Sequence, residues 1–451
     1  MERAVKQLDY YEPENLLDIA AQACEEAIKE GADQAEVFVS FGSGISVDLE
    51  KSAIKSSDIH IGGGLSVRAF SRGGVGSASA DNLSEASIVE TARAAAQMAK
   101  IAEPDPDFIS LPGAAEYPEV VGLFDPAVAE LSVGDVVRMA VDNIDSAKSV
   151  VGDAIVSGGA SAGHKNWALA NSLGVRGSGR SSGVSVFAMV IVKRGDDVGA
   201  YYDFDEARRL ADFEPVGVGR SAAEMAVKFL GARKVKTRIM PVVLGPLAGI
   251  SIYQSIASSV NAEDIQRGRS FMADMKGRRI GSDVLGLVDD PLIEGGLSSR
   301  FCDGEGFPSR RTTIVEEGVL KSYLHNSYTA NKAKEMNTGH GTRGGISPSN
   351  LVPKLGVKTS EQIISEVNSG LYIAEGQIAP NMVTGEVSVS VDFGFMIENG
   401  EIAYPVQNTM VGGDFLQMLA NVDAVSSDYR SEPGVILPTV RIQNVSVAGG
   451  M

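Results

Sequence analysis

Apolar residues recur at helical spacing from Pro13 to Gly31. Leu16, Ala20, Cys24 and Ala27/Ile28 fall on one stripe, Pro13 suits a first turn and Gly31 a C-terminal cap. The period then shortens to two. Glu36 to Phe41, then Ile45, Val47 and Leu49, then Leu65, Val67 and Ala69 after Gly62-Gly63-Gly64, alternate in the way of half-buried strands. Asn82 and Glu85 read as a capping pair for a helix whose Ile88, Ala92, Ala95 and Ala99 share a face. A proline-rich connector runs from Pro104 to Pro126, and Ser132 with Asp135 opens a further helix through Ala147. Four strand patterns follow, at Asp153 to Ala160, Trp167 to Leu173, Gly183 to Lys193 and Val198 to Phe204, with a hairpin turn over Arg194 to Asp197. A helix from about Val218 to Leu230, stopped by Gly231, closes this half.

From Thr237 the texture changes. A strand over Arg238 to Leu244 leads through Gly245-Pro246 into a helix carrying Ile250, Ile252, Ile256 and Val260. Short glycine-punctuated strands follow, among them Thr312 to Val315, Val387 to Val391 and Phe395 to Ile397, interrupted by a helix near Ser360 to Asn368. Strands in hairpin-length groups, not alternating with helices, predict an α+β protein of two domains. Residues 1–235 form an N-terminal antiparallel sheet with helices, and residues 236–451 a β-rich, barrel-like domain. No solenoid-type repeat is visible.

Composition narrows the function classes. Glycine supplies 51 of 451 residues, about 11% against a usual ~7%, which suits many tight turns and short strands. The formal charge is −18, and Arg208-Arg209, Lys234 to Arg238 and Arg310-Arg311 are short stretches expected on solvated faces, so nucleic-acid binding is not expected. Cys24 and Cys302 lie far apart in no C-x-x-C pattern, as in a reducing compartment. The segment Met1 to Asp9 has no signal-peptide core, and the longest apolar stretch, Val184 to Val192, is too short to span a membrane. A cytoplasmic protein without membrane partners is expected.

Chemistry-bearing motifs are scarce. The four histidines, His60, His164, His325 and His340, include no pair one helical turn apart, the arrangement that lets two imidazoles reach one zinc ion. His325, His340 and Cys302 could converge only from separate elements. No Walker sequence occurs, Gly62-Gly63-Gly64 lacks the G-x-G-x-x-G spacing, and Gly73-Gly74-Val75-Gly76 reads as a hairpin turn. Two loops remain as candidates. Phe301 to Pro308 is an acidic, glycine-rich turn containing Asp303 and Glu305, and Asn337 to Gly344 contains Thr338, His340 and Arg343. Glycines there would let backbone approach a ligand, and Arg343 could hold a carboxylate in a bidentate fork.

In order along the chain, these segments resemble the TldD/PmbA family of peptidase subunits. The resemblance rests on Gly64-Leu65-Ser66-Val67-Arg68, Gly73 to Ser79, Asp289-Asp290-Pro291, Asp303 to Pro308, Thr338 to Arg343, Thr384-Gly385-Glu386, Glu398 to Glu401 and Val411-Gly412-Gly413-Asp414. In that family, TldD-like members carry H-E-x-x-x-H on the helix opening the second domain and a cysteine in a C-terminal C-G-K segment, which together bind zinc. Here the corresponding helix reads Gly249-Ile250-Ser251-Ile252-Tyr253-Gln254-Ser255-Ile256, and Asn408 to Leu416 holds no cysteine. The resemblance therefore implies the PmbA (TldE) branch, with no catalytic or metal-binding residue carried over. It implies a non-catalytic subunit, with zinc supplied by a TldD-like partner in a heterodimer, or a homodimer, and with unfolded or leader peptides cleaved in an enclosed cavity. Asp303, Glu305, Thr338, His340 and Arg343 are then candidates for the peptide channel or subunit interface. The alternatives are a self-sufficient metallopeptidase using His325, His340 and Cys302, and a peptide-binding or regulatory protein.

Overall fold

The computed structural model describes residues 11–450, so the reading of Met1 to Asp9 lies outside the described residues. The N-terminal half contains α1 (Pro13–Lys29), β1 (Gln34–Glu50), β2 (Ala53–Ser71), β3 (Gly74–Ala80), α2 (Glu85–Ile101), α3 (Val133–Val150), β4 (Ile155–Asn171), β5 (Arg176–Arg194), β6 (Asp197–Ala207) and α4 (Val216–Lys228). Its six strands form one antiparallel sheet in the order β3-β2-β1-β4-β5-β6.

That order is symmetric about the β1–β4 pair. Each side is a helix, a three-stranded meander and a second helix, so the half is built from one unit used twice. The unit is visible in topology and not as a sequence repeat. Each copy has its own core. Leu16, Ala20 and Cys24 of α1 and Ala92 and Ala95 of α2 pack on Val37, Val39, Leu65 and Val67. Val136, Ala140 and Ile144 of α3 and Ala222 and Ala226 of α4 pack on Val156, Val184, Val186 and Val190. The alternating pattern thus places odd-numbered β1 residues under helices and leaves Glu36, Phe38 and Ser40 on the other face.

Several sequence expectations need correction. The patterns at Glu36 to Phe41 and Ile45 to Leu49 are one strand, as are those at Asp153 to Ala160 and Trp167 to Leu173 up to Asn171. Glycine does not break these strands because the sheet needs its lack of a side chain: a Cβ on Gly42 would lie 2.4 Å from the His164 carbonyl oxygen. The α2 cap is Ser84, which accepts from the Ser87 N–H, while Asn82 accepts from Ser84 N–H at 3.2 Å. Ile28 is 38% exposed and lies off the buried stripe. The hairpin expected over Gly73 to Gly76 turns instead at Arg72-Gly73, with φ of 52° and 83°, and Gly74 to Gly76 already belong to β3.

The second half opens with β7 (Arg238–Leu244) and α5 (Pro246–Ser259). A small sheet follows, of β8 (Leu287–Asp289), β9 (Thr312–Glu316), β10 (Val319–Leu320) and later β13 (Leu351–Pro353). Between them lies the hairpin β11 (Gly341–Thr342) and β12 (Gly345–Ile346). The main sheet adds β14 (Ser369–Glu375), β15 (Glu386–Val391), β16 (Phe393–Glu398), β17 (Glu401–Pro405), β18 (Thr409–Asp414), β19 (Val422–Glu432) and β20 (Val435–Gly449). Its path runs β15-β18-β20-β7-β14-β16-β17, with β19 on β20, an open half-barrel. The pairing is antiparallel except for β7–β14. The α+β class with two domains matches the sequence reading. Among the described residues no helix is long and apolar enough to cross a membrane.

The halves meet in an aromatic contact and at the loops described next. Tyr201 and Phe229 pack on Phe393 and Phe395, with ring centroids 5.0 Å apart for Tyr201–Phe393 and 4.5 Å for Phe229–Phe395. Helix packs closely on strand in the first unit. A Cβ on Gly76 would lie 2.2 Å from Ala95 O and 2.4 Å from Ala99 N. Gly76→Ala is expected to cost about 1–3 kcal/mol of unfolding free energy, measured by urea denaturation.

Candidate functional site: a charge cluster between the domains

Both candidate loops fold against the uncovered face of the N-terminal sheet, where they meet residues that sequence reasoning did not single out. Glu36 on β1 lies directly across the strand pair from Arg68 on β2. Their charges point away from the helices because Val37 and Val67 occupy the opposite face. Glu36 has no solvent exposure. Its Oε1 accepts from Arg68 Nε and, at 2.6 Å, from Nη1 of Arg343. Arg343 sits at the turn of the β11–β12 hairpin, and its Nη2 also donates to the Ser66 carbonyl at 3.1 Å and hydroxyl at 3.0 Å. The carboxylate that Arg343 holds is therefore internal, contributed by the other domain, and the contact is single-pronged.

Glu305 extends the alternation of charge. It lies 3.7 Å from Arg68 Nη2 and accepts from the Ser327 N–H at 2.9 Å. Asp303, two residues earlier, closes its own turn by accepting from the N–H groups of Glu305 and Phe307 at 2.9 Å, and ties it to the hairpin by accepting from Gly341 N–H at 2.8 Å. Burial, together with the nearby Glu305 charge, pushes the Asp303 carboxyl up to about 7 despite those three donors. Glu305 is raised as well, first by burial and then by Glu36.

His340 and Thr338 are one step further in. Both His340 ring nitrogens have partners, Thr338 Oγ1 at 2.9 Å and Asp289 Oδ1 at 2.9 Å. Asp289 in turn accepts from the Ser349 N–H at 2.5 Å. Thr338 also accepts from the His325 N–H at 2.6 Å and donates to His325 O at 3.1 Å. His325 uses its ring on Thr329 at 3.2 Å and Glu335 at 3.5 Å, and burial lowers its pKa. Arg343 and Glu305 thus join the domains through Glu36 and Arg68, Asp303, Thr338 and His340 bond within the C-terminal half, and together they form one buried polar region. Glu36, Arg68 and Asp289 are its missed members. For Glu36 and Arg68 the available signal was their position, charged residues at strand positions facing away from the apolar alternation; Asp289 lies on the same side of its strand as Leu287 and carried no such signal.

The donor set does not fit zinc. Among the described residues no group of three or more His, Cys, Asp or Glu side chains is placed to hold a metal ion. His340 spends both nitrogens on hydrogen bonds, and the buried thiol of Cys302, pushed up to about 12 by burial, resists the deprotonation a ligand needs. On α5, ten of fourteen residues are buried, and Tyr253 is wholly enclosed. Its serines serve the core: Ser255 donates to Ile378 O at 3.0 Å, and Ser251 accepts from Ile378 N–H at 3.0 Å. Cys24 and Cys302 are both free thiols.

A two-domain α+β protein whose halves are joined by buried ion pairs is the class that this fold and site define. Comparison with known proteins is specific. Residues 35–99 match PmbA/TldA metallopeptidase domain 1, residues 127–230 the central domain and residues 237–449 the C-terminal domain. The chain belongs to the PmbA/TldD family. It is 28% identical over 445 residues to "Metalloprotease PmbA" of Escherichia coli O157:H7, covering 96% of each chain. It is 29% identical over 438 residues to "Metalloprotease PmbA homolog" of Haemophilus influenzae, covering 95% of this chain and 94% of that one. Crystalline TldE from Thermococcus kodakarensis has the same fold, with a TM-score of 0.88 at 24% identity, over 96% of this chain and 100% of that chain. The first family segment falls within the first copy of the N-terminal unit, from β1 to α2, and the second spans the second copy.

Two outcomes follow from the cluster. Arg343→Ala leaves the Glu36 carboxylate buried with one cation fewer, and should cost about 3 kcal/mol in chemical denaturation. Asp303 supplies a pH dependence. Its folded pKa, about 7, lies above its ordinary value of 3.8, so the unfolded chain ionises first as pH rises. Stability from this group is full below that ordinary value and is lost as pH climbs to about 7. Asp303→Asn should flatten the decline in melting temperature over that window, and an unchanged slope would contradict the assignment.

Proposed function

We propose that this chain is the non-catalytic, PmbA/TldE-type subunit of a cytoplasmic zinc metallopeptidase, paired with a TldD-like subunit that carries the metal. The observation that carries this reading is the state of α5. The helix that in TldD-like members presents zinc ligands is here a core helix of Ile250, Ile252, Tyr253 and Ile256. Family membership over nearly the whole chain, together with the absence of a three-donor group among the described residues, supports the same reading. A peptidase centre needs an ion to polarise the scissile carbonyl and a carboxylate to activate water. The acids of this chain nearest the candidate loops are occupied instead in holding the domains together. The subunit's work is then to complete an enclosed peptide cavity, which selects unfolded and leader peptides by access.

The test is reconstitution. The full chain is mixed with a TldD-like subunit from the same source, and cleavage of an unfolded polypeptide is followed with and without chelator. Stable association and chelator-sensitive cleavage by the pair, with none by the isolated chain, are expected. Chelator-sensitive cleavage by the isolated chain, abolished in His340→Ala, would instead establish a self-sufficient enzyme.

A further inference from the structure

Beside the charge cluster, the same two domains line an open cleft of about 380 Å³, within the range of small-ligand sites. Its sheet wall carries Phe38, Lys165 and Trp167, and its opposite wall is Leu297 to Arg300 with Cys302 to Gly304. The charges that face it are Lys165, Arg180, Arg208, Arg300 and Asp303. In a chain of net charge −18, four cations against one acid is a reversal of sign.

Three of the four cations are not neutralised in place. Arg180 is paired with Glu12. Arg208, expected from sequence on a solvated face, is instead partly buried and held by backbone carbonyls, from Nε to Gly296 O at 2.8 Å and from Nη2 to Leu297 O at 2.6 Å. Carbonyl dipoles fix its direction without cancelling its charge. Arg300 has a buried Nε without a hydrogen-bond partner, and its Nη2 reaches Ser347 O at 3.4 Å. Among the described residues neither Arg208, Arg300 nor Lys165 forms an ion pair. Asp303 has given both its oxygens to backbone N–H groups. The apolar side of the cleft is a rigid aromatic stack, with Trp167 5.3 Å from Phe301 and 6.2 Å from Phe38 between ring centroids. A group with two oxygens, one negative charge and an adjoining apolar body matches these walls.

We propose that this cleft is a carboxylate subsite that seats the C-terminal carboxylate of a peptide, with Lys165 and Arg300 as donors, Arg208 as fixed positive charge behind them and Trp167 against the terminal side chain. That the carboxylate belongs to a peptide rests on the function proposed above; the carboxylate chemistry of the cleft does not.

Trp167 is the single tryptophan of the chain, so its emission reports on this cleft without labelling. The full chain is titrated with an N-acetylated tripeptide bearing a free terminal carboxylate, with its C-terminal amide, and with an amide carrying an internal glutamate, calorimetry running in parallel. The free acid should bind saturably with a change in emission, and the plain amide about tenfold more weakly, as expected for loss of one charge-assisted contact. Lys165→Gln at the exposed rim and Arg300→Gln should each weaken the free acid by a similar factor while leaving the amide unchanged. Equal binding of acid and amide, or no heat and no emission change with either, would overturn the subsite. Binding of the internal-glutamate amide as tight as the free acid would overturn the terminal assignment, and displacement by inorganic phosphate at equal concentration would reduce the site to a non-selective anion patch. Because no cleavage is read, carboxylate binding without activity in the reconstituted pair would refute the peptidase role and leave the subsite standing. Activity without carboxylate binding would do the reverse.

Discussion

A carboxylate with no exposure to water lies between two guanidinium groups, and the junction of the two domains is organised around it. Glu36 cannot be buried alone, because desolvating a single carboxylate costs several kcal/mol that one surface-type contact would not return. It is tolerated because Arg68 approaches along the sheet and Arg343 from the other domain, at 2.6 Å. The requirement propagates. Arg343 must be presented by a tight hairpin, the hairpin is fixed to the Asp303 turn through Gly341, and that turn places Glu305 beside Arg68. Docking of the halves therefore depends on charge satisfaction here, and on apolar burial around Tyr201, Phe229, Phe393 and Phe395.

Much of the fold was legible because its helices are amphipathic and its turns carry glycine. The α1 stripe, the capping box at Ser132 and Asp135, and the strand Arg238 to Leu244 are found where the periodicity places them. Strand length was not legible. Gly42, Gly63 and Gly64 look like interruptions in one dimension, whereas in the sheet they are positions where neighbouring backbones come close. The duplicated unit was also hidden, since it is a repeat of topology that two different sets of apolar residues satisfy.

The candidate site was half legible. Asp303, Glu305, Thr338, His340 and Arg343 were found from glycine-rich loops beside charge, and they do converge. What sequence could not supply was the partner in each case, because Glu36, Ser66 and Asp289 are separated from them by 307, 277 and 51 residues. Knowing the partners changes the reading of the loops. Arg343 spends both its terminal nitrogens on Glu36 and Ser66, and His340 both its ring nitrogens, so they build a wall, and the cations without an acid partner lie next door around Trp167.

Whether this chain carries its own metal decides between a partner subunit and a self-sufficient enzyme. Metal content of tag-free protein, purified without chelators and analysed by inductively coupled plasma mass spectrometry, tests that directly. Zinc far below one ion per chain is the predicted result, in keeping with a core-filled α5 and a fully hydrogen-bonded His340. Zinc near one ion per chain would contradict it, and would mean that ligands outside the arrangement described here assemble a metal centre.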